Sequence, residues 1–169
     1  MQTAELRAIL GELPFTAELH ETALQRLAEV SSLQQYPRGA VLFREGLHNG
    51  DLFLLRSGRV TLEMNVPGRG KLAILTLGPG EMAAWSALIG TGEMTATAVT
   101  LDDVQAVVAS GTKLREMCEQ DHEFGYHLMR RMATALSRRL LATRLQLLDL
   151  FADTPPTIRP DVSARGATT

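Results

Sequence analysis

Residues 77–98 read LGPGEMAAWSALIGTGEMTATA, and this stretch decides the fold. A turn at Gly78-Pro79-Gly80 leads through Glu81 into Ser86-Ala87-Leu88, and the chain is extended again at Thr95–Ala98. A glycine-rich turn that opens into a helix points backbone amides at one spot, which suits an anion. The stretch therefore has the frame of a phosphate-binding loop, and we refer to residues 77–98 as the cassette.

Around the cassette, the apolar pattern from Val41 to Ala109 has a period of two and is interrupted by glycines. Five short segments have the character of strands: Val41–Phe43, Leu52–Leu55, Val60–Leu62, Leu72–Leu75 and Val104–Val108. Short strands at this spacing predict an antiparallel β-roll or jelly roll, which we place at about residues 36–110.

Helical patterns flank the roll on both sides. Two amphipathic helices are predicted at roughly Thr3–Gly11 and Thr16–Val30, and a third at Thr112–Gln120. A long helix follows to Phe151, with Asp121 as its N-cap. We expect a single domain over residues 1–151 and a disordered tail over 152–169, which is rich in Pro, Thr and Ala.

The order of these motifs resembles the cyclic nucleotide-binding domain family. The blocks that match are Arg38–Gly46, Asp51–Leu55 and Ser57–Val60, followed by Leu77, Gly80, Glu81, Ala87, Leu88, Ala96 and Thr97 of the cassette. The resemblance covers about residues 15–151 and implies a roll with a long C-terminal helix, as in the sensor domain of catabolite activator proteins.

The cassette departs from the family at two positions. The family's Phe-Gly-Glu, whose Glu bonds the ribose hydroxyl of the nucleotide, is Ala83-Ala84-Trp85 in this chain. Met94 stands where the family has the Arg that pairs with the cyclic phosphate. Each hydrogen bond to a charged group contributes roughly 1.5 to 3 kcal/mol, so the loss of both is expected to cost about two to four decades of affinity. An arginine from elsewhere, such as Arg44 or Arg56, is a conceivable substitute.

We expect a ligand pocket at the cassette and the long helix. Its candidate residues are Glu81, Trp85, Ser86, Ala87, Leu88, Met94, Thr95, Thr97, Thr143 and Arg144. Trp85 either stacks on a planar ligand or fills the pocket from within, and Met94 most simply fills a gap. The ligand would be a cyclic nucleotide held in an altered way or another small planar molecule.

The long helix carries an a/d pattern over about four heptads, which predicts a parallel homodimer. The interface residues are Tyr126, Met129, Ala133, Leu136, Leu140, Leu147 and Leu150. Thr143 lies on the same seam, where it either contacts a ligand's base or fixes the register.

Five arginines without an acidic residue lie between Phe124 and Leu148 of that helix. We interpret them as partners of acidic residues on the roll or on the dimer mate, with nucleic acid as the alternative. Only 18 residues follow Phe151, too few for the helix-turn-helix unit of the family's transcription factors, so we expect no DNA recognition of that kind.

The amino-acid composition limits the location and the function classes that this chain could have. A hydrophobic content of 45%, a charged fraction of 21% and a net charge of -2 are typical of a soluble globular protein, and a cytoplasmic location without membrane contact is expected. Cys118 is the one cysteine, and the four histidines have no metal-ligand spacing. We therefore predict a non-enzymatic regulatory domain that signals to a partner protein through its dimer helix. The alternatives are a ligand-free dimeric interaction module and, with least support, a cupin-like metalloenzyme.

Overall fold

The computed structural model describes residues 2–152, and its side-chain description covers residues 3–145 and Leu148. The helices of this part are α1 (Gln2–Glu12), α2 (Glu21–Glu29), α3 (Ser86–Ile89), α4 (Gly111–Gln120) and α5 (His122–Ala152). The strands are β1 (Ser31–Tyr36), β2 (Val41–Phe43), β3 (Asp51–Ser57), β4 (Val60–Val66), β5 (Gly70–Leu77), β6 (Met82–Ala83), β7 (Thr97–Thr100) and β8 (Val104–Ser110).

The strands form two four-stranded sheets, in the orders β1-β8-β3-β6 and β2-β7-β4-β5. All of their pairs are antiparallel, which confirms the predicted roll. β8 lies between β1 and β3, so that Ser31 at the start of the roll pairs with Ala109 at its end. The cassette supplies β6, α3 and the beginning of β7 and thereby contributes to both sheets.

The core of the roll explains why β3 reads as a continuous apolar run. Phe53 and Leu55 belong to the buried cluster inside the roll, where the Phe53 ring lies 5.9 Å from that of Phe43. Because side chains alternate along a strand, Leu52 and Leu54 point to the opposite face, and both are buried as well. β3 is thus covered on both faces, which leaves no polar position at its centre.

The described chain divides into two compact units, one up to Ala135 and one from Leu136 onward. In the first unit, the beginning of α5 buries Phe124, Leu128 and Met132, which are spaced by four residues along one helical face. In the second unit, Leu140, Leu141, Leu145 and Leu148 are exposed. Within residues 2–152, no helix is both long and apolar enough to cross a bilayer.

Three boundaries differ from the prediction by four or five residues. One is the end of β4, which continues to Val66 and does not stop at Leu62. The second helix begins at Glu21 and not at Thr16, because Thr16 is buried in a turn where its hydroxyl donates to the carbonyls of Leu10 and Leu13. The roll begins at Ser31, since the polar segment Ser31–Tyr36 forms an edge strand against β8. Apart from Ala152, the predicted tail lies outside the described residues.

Asp121 caps α5, as the sequence indicates. Its Oδ1 accepts a hydrogen bond from the Phe124 amide at 3.0 Å, and its Oδ2 lies 3.1 Å from a guanidinium nitrogen of Arg26. The Phe124 hydrogen bond, assisted by the charge of Arg26, lowers the pKa of this carboxyl below its ordinary value of 3.8. The ionised cap is therefore the form that the folded chain prefers.

The lowered pKa of Asp121 gives a pH-dependent prediction. The unfolded chain holds the proton more tightly, so Asp121 stabilises the fold fully above pH 3.8 and less as the pH falls through the lowered folded-state pKa. Asp121→Ala should lower Tm at neutral pH, and the difference from wild type should shrink below about pH 4. Asp121→Asn keeps a capping oxygen without the charge and should lose less. A difference that does not change between neutral and acidic thermal melts would contradict this assignment.

Candidate functional site

The cassette opens with a turn that its own carboxylate closes. Glu81 Oε2 accepts from the Gly78 amide at 2.8 Å, while the backbone of Glu81 and of Gly80 bonds to Leu55 of β3 at 2.9 and 2.7 Å. The turn is therefore fastened to the roll by main-chain hydrogen bonds. The Glu81 side chain, a predicted ligand contact, serves this turn in the structure.

Ala84 has a left-handed backbone conformation, with φ of 63°, although it is not glycine. This is the position at which the family's Phe-Gly-Glu has its glycine, and an L side chain there costs about 1 to 2 kcal/mol. Strain of this kind persists only where the surrounding structure enforces it, and it occurs preferentially at functional sites. Ala84 is also buried in the roll cluster, which fixes the direction in which the chain enters α3.

Ala84→Gly should therefore stabilise the protein by about 1 kcal/mol, because glycine adopts this φ without strain. The gain should appear as a higher denaturation midpoint in urea at an unchanged slope. Ala83→Gly, one residue earlier in β6, is the matched control and should destabilise, since a strand position loses packing and gains backbone entropy on unfolding. Equal effects of the two changes would show that φ at residue 84 is not the cause.

Trp85 occupies the N-cap position of α3 and is partly exposed. Behind it, Ser86, Ala87 and Leu88 are buried. The amides of Ala87 and Leu88 donate to the carbonyls of Ala84 and Trp85 at 2.9 and 3.0 Å, so they are less available to an anion. Trp85 is therefore a partly exposed aromatic side chain at the start of this short helix.

Met94 lies inside the roll. It is 2% exposed and packs in the same cluster as Phe43, Phe53 and Ala84. Thr95, the next residue, is exposed, and Thr97 Oγ1 accepts a hydrogen bond from the Glu45 amide at 3.1 Å. The position where the family carries its phosphate-binding Arg is thus part of the apolar core.

An open cavity of about 420 Å³ lies beside this segment. We call it the acidic cavity, and its lining residues are Glu45, Gly46, Thr91, Glu93, Met94 and Thr95. Two carboxylates and no cation line it, so its field repels a phosphate. The sequence did not reveal Glu45 and Glu93 as neighbours, because they meet only when the Gly46 amide bonds to the Met94 carbonyl, at 2.8 Å.

Thr143 and Arg144 belong to the second unit, whereas the cassette belongs to the first. Both side chains are exposed, and the Thr143 hydroxyl donates to the Arg139 carbonyl at 2.9 Å. Their role at a ligand stays a prediction. The candidate residues of the cassette, from Glu81 to Thr97, all lie in the first unit.

The predicted dimer seam uses a different face of α5 from the buried one. Tyr126 is 63% exposed and Leu140 is 53% exposed. Ala133 is exposed too, Met129 and Leu136 are partly buried, and the side chains of Leu147 and Leu150 lie outside the described part. An apolar row with this exposure is compatible with a partner helix, so the dimer stays a prediction.

The basic residues at the beginning of α5 have acidic partners within the chain. Arg131 lies 2.7 Å and Arg130 lies 3.5 Å from the carboxylate oxygens of Glu18, between α1 and α2. These two arginines therefore pair with an acid, as interpreted, but the acid lies in the N-terminal segment and not on the roll or on a dimer mate. The single Glu18 carboxylate thus offsets part of the charge of this pair of arginines.

The remaining candidates for chemistry are the cysteine thiol and the side chains that could bind a metal. Burial raises the pKa of the Cys118 thiol, which disfavours the nucleophilic thiolate. Across the part of the chain that the structure describes, no three His, Cys, Asp or Glu side chains are grouped so that they could hold a metal ion.

Comparison with known proteins gives consistent results. The sequence profile of the cyclic nucleotide-binding domain matches residues 33–121. The CRP-like cAMP-activated global transcriptional regulator of Mycobacterium tuberculosis is 29% identical over 148 residues, which are 87% of this chain and 64% of the regulator. The Cyclic AMP receptor protein of Thermus thermophilus is 32% identical over 120 residues, or 70% of this chain and 50% of the receptor. This chain therefore spans about half to two thirds of the length of these relatives.

A solved structure shows the same architecture. The cyclic nucleotide-binding domain from Methylobacillus flagellatus superimposes with a TM-score of 0.74, over 87% of this chain and 83% of that domain. Its sequence identity is 20%, so this likeness concerns the fold.

Proposed function

Because the chain belongs to the cyclic nucleotide-binding domain family, we propose that it is a non-enzymatic regulatory sensor domain that does not grip its ligand through a cyclic phosphate. The observation that carries the proposal is the burial of Met94, which is 2% exposed inside the roll at the position of the family's phosphate-binding Arg. An apolar core residue offers an anion neither charge nor a hydrogen bond.

The surroundings of Met94 add to this argument. The acidic cavity places Glu45 and Glu93 beside the same segment, and the amides of Ala87 and Leu88 are engaged within α3. Trp85, held at the start of α3 by the strained Ala84, supplies a planar, partly exposed surface. A small planar ligand that stacks on this indole fits these features better than a charged phosphate does.

Signalling would then pass through α5. We expect two copies to pair through the seam from Tyr126 to Leu150, and a ligand that prefers one arrangement of the paired helices would shift the population toward it. A downstream protein would recognise that arrangement. The exposure of Tyr126 and Leu140 supports this part of the proposal.

A second candidate function is a ligand-free dimeric interaction module. The observation in its favour is the same apolar packing, because Phe43, Phe53 and Met94 fill the interior of the roll with side chains. Native mass spectrometry of freshly purified protein separates the two functions. A dimer that retains a small molecule supports the sensor, whereas a dimer without one, and without heat on titration of planar ligands, supports the module.

The phosphate part of the proposal is tested by calorimetry with cyclic AMP and cyclic GMP. We expect no saturable heat at micromolar ligand, because the loss of two charged anchors costs about two to four decades of affinity. Conventional micromolar binding would overturn the proposal.

The dimer part is tested by a matched pair of variants. Leu140→Asp places a charge on the seam and should convert the dimer to a monomer in sedimentation experiments. Leu141→Asp makes the same change at an equally exposed neighbouring leucine that lies off the seam, and it should leave the dimer intact. A monomeric wild-type chain, or equal dissociation of both variants, would remove the dimer from the proposal.

A further inference from the structure

A second cavity lies at the cassette turn, and neither Trp85 nor any residue of the acidic cavity lines it. Its volume is about 350 Å³, which is within the range of small-molecule sites. We call it the Arg56 cavity, and it is lined by Ile9, Glu12, Leu13, Pro14, Arg56, Pro79 and Gly80.

The lining combines an apolar floor with one charge of each sign. Ile9 and Leu13 are almost fully buried, at 4% and 6% exposure, so the apolar surface that a ligand can reach comes mainly from Pro14 and Pro79, which are exposed. Glu12 and Arg56 supply a carboxylate and a guanidinium, and both side chains are exposed to solvent. A ligand in this cavity would therefore meet hydrocarbon on one side and two opposite charges on the other.

The two charged groups are available to a ligand. Among the contacts described for residues 2–152, Arg56 makes one side-chain hydrogen bond, to Gln105 Oε1 at a long 3.4 Å. A guanidinium has five N–H donors, so most of its hydrogen-bonding capacity is unused. No ion pair between Glu12 and Arg56 occurs in the described part of the chain, so the two charges do not neutralise each other by direct contact.

We propose that the Arg56 cavity binds an apolar α-amino acid as its zwitterion. The ligand's carboxylate faces Arg56, its ammonium group faces Glu12, and its side chain packs on Pro14 and Pro79. A ligand with a carboxylate alone would gain the attraction of Arg56 but meet the repulsion of Glu12, and a ligand with an amine alone would meet the reverse, whereas a zwitterion is attracted at both ends. This site is independent of the function proposed above for Trp85.

An occupant of this cavity would touch the cassette directly. Gly80 lies so close to Pro14 that an added Cβ would come within 3.0 Å of the proline ring, and the Gly80 amide bonds to Leu55 next to Arg56. Trp85, the one tryptophan of the chain, follows on the same segment. The ligand should therefore change the fluorescence of Trp85 although it does not contact the indole.

Calorimetric titration of the full chain with L-leucine and L-phenylalanine tests the site. We expect saturable heat with one ligand per chain. Arg56→Gln and Glu12→Gln should each weaken binding about threefold to tenfold, as expected for charged contacts that water partly screens. Arg69→Gln and Glu5→Gln remove the same charges from exposed positions outside the cavity and should not change the affinity. Absence of heat at millimolar amino acid, or equal weakening by the control variants, would overturn the proposal.

Two leucine analogues test the requirement for both charges. N-acetyl-leucine lacks the ammonium group and isoamylamine lacks the carboxylate, so both should bind at least about threefold more weakly than leucine. If either analogue binds as well as leucine, the zwitterion proposal is wrong. Fluorescence of Trp85 that changes with leucine and saturates in parallel with the heat supports the contact with the cassette, whereas heat without a fluorescence change refutes it.

Discussion

Met94→Arg is expected to lower the free energy of unfolding by about 3 to 5 kcal/mol. The substitution restores the residue that the family carries at this position, but in this chain it places a guanidinium in the roll cluster beside Phe43, Phe53 and Ala84. A buried charge without a partner loses its hydration and gains nothing in return. Urea denaturation measured by circular dichroism would show the loss as a lower midpoint.

Two further measurements test whether the charge of Met94→Arg causes the loss of stability. Met94→Leu has nearly the same volume and should cost less than about 1.5 kcal/mol. If the frame of the cassette still fits a cyclic phosphate, millimolar cyclic AMP should raise the Tm of Met94→Arg and leave that of wild type unchanged. A Met94→Arg protein as stable as Met94→Leu would mean that the interior has room and water for a cation, contrary to the packing described above.

Gly58→Ala is expected to destabilise the protein by about 2 to 5 kcal/mol, of which about 1 to 2 kcal/mol comes from the backbone. Gly58 has a φ of 78° in the turn between β3 and β4. A Cβ at this position would collide with the Asp103 carbonyl and would lie 2.8 Å from Cγ2 of Val104. The turn and the beginning of β8 would have to separate, and β8 is the strand that joins β1 to β3.

Gly68→Ala separates the two contributions. Gly68 has nearly the same φ, 75°, but nothing lies within 4 Å of the position its Cβ would take. Its substitution should therefore cost only the backbone contribution, about 1 to 2 kcal/mol. Equal losses in chemical denaturation of the two alanine variants would show that the close approach to β8 has no energetic importance.

The sequence predicts those parts of the fold that bury apolar residues at a regular spacing. The apolar pattern predicts β3 and β8 because their residues are buried in the roll. Asp121 is predicted as a helix cap because a cap acts within one helical turn. The hydrophobic pattern does not predict β1, because Ser31–Tyr36 is polar and depends on the backbone of β8 for its pairing. The predicted start of α2 is wrong because the Thr16 hydroxyl donates hydrogen bonds to carbonyls of the preceding segment. The spacing of apolar residues does not reveal such contacts.

At the cassette, the sequence indicates which residues are missing but not what their replacements do. The left-handed φ of Ala84 cannot be read from an alanine, which rarely adopts it. The convergence of Glu45 and Glu93 depends on a hydrogen bond between distant segments. By contrast, the pairing of Arg131 with Glu18 agrees with a simple expectation, that a basic row on a helix has acidic neighbours.

The position of β8 between β1 and β3 also determines how the chain can fold. The roll closes when residues 31–36 pair with residues 104–110, so most of the strands must be brought together across long loops. Loops of this length carry a large closure entropy, and such topologies fold in roughly milliseconds to seconds. During synthesis, neither β1 nor β3 can complete its pairing with β8 until residue 110 has been added to the chain. Until then the edge of β3 that pairs with β8 is unpaired, and an unpaired apolar strand edge favours aggregation of the nascent protein.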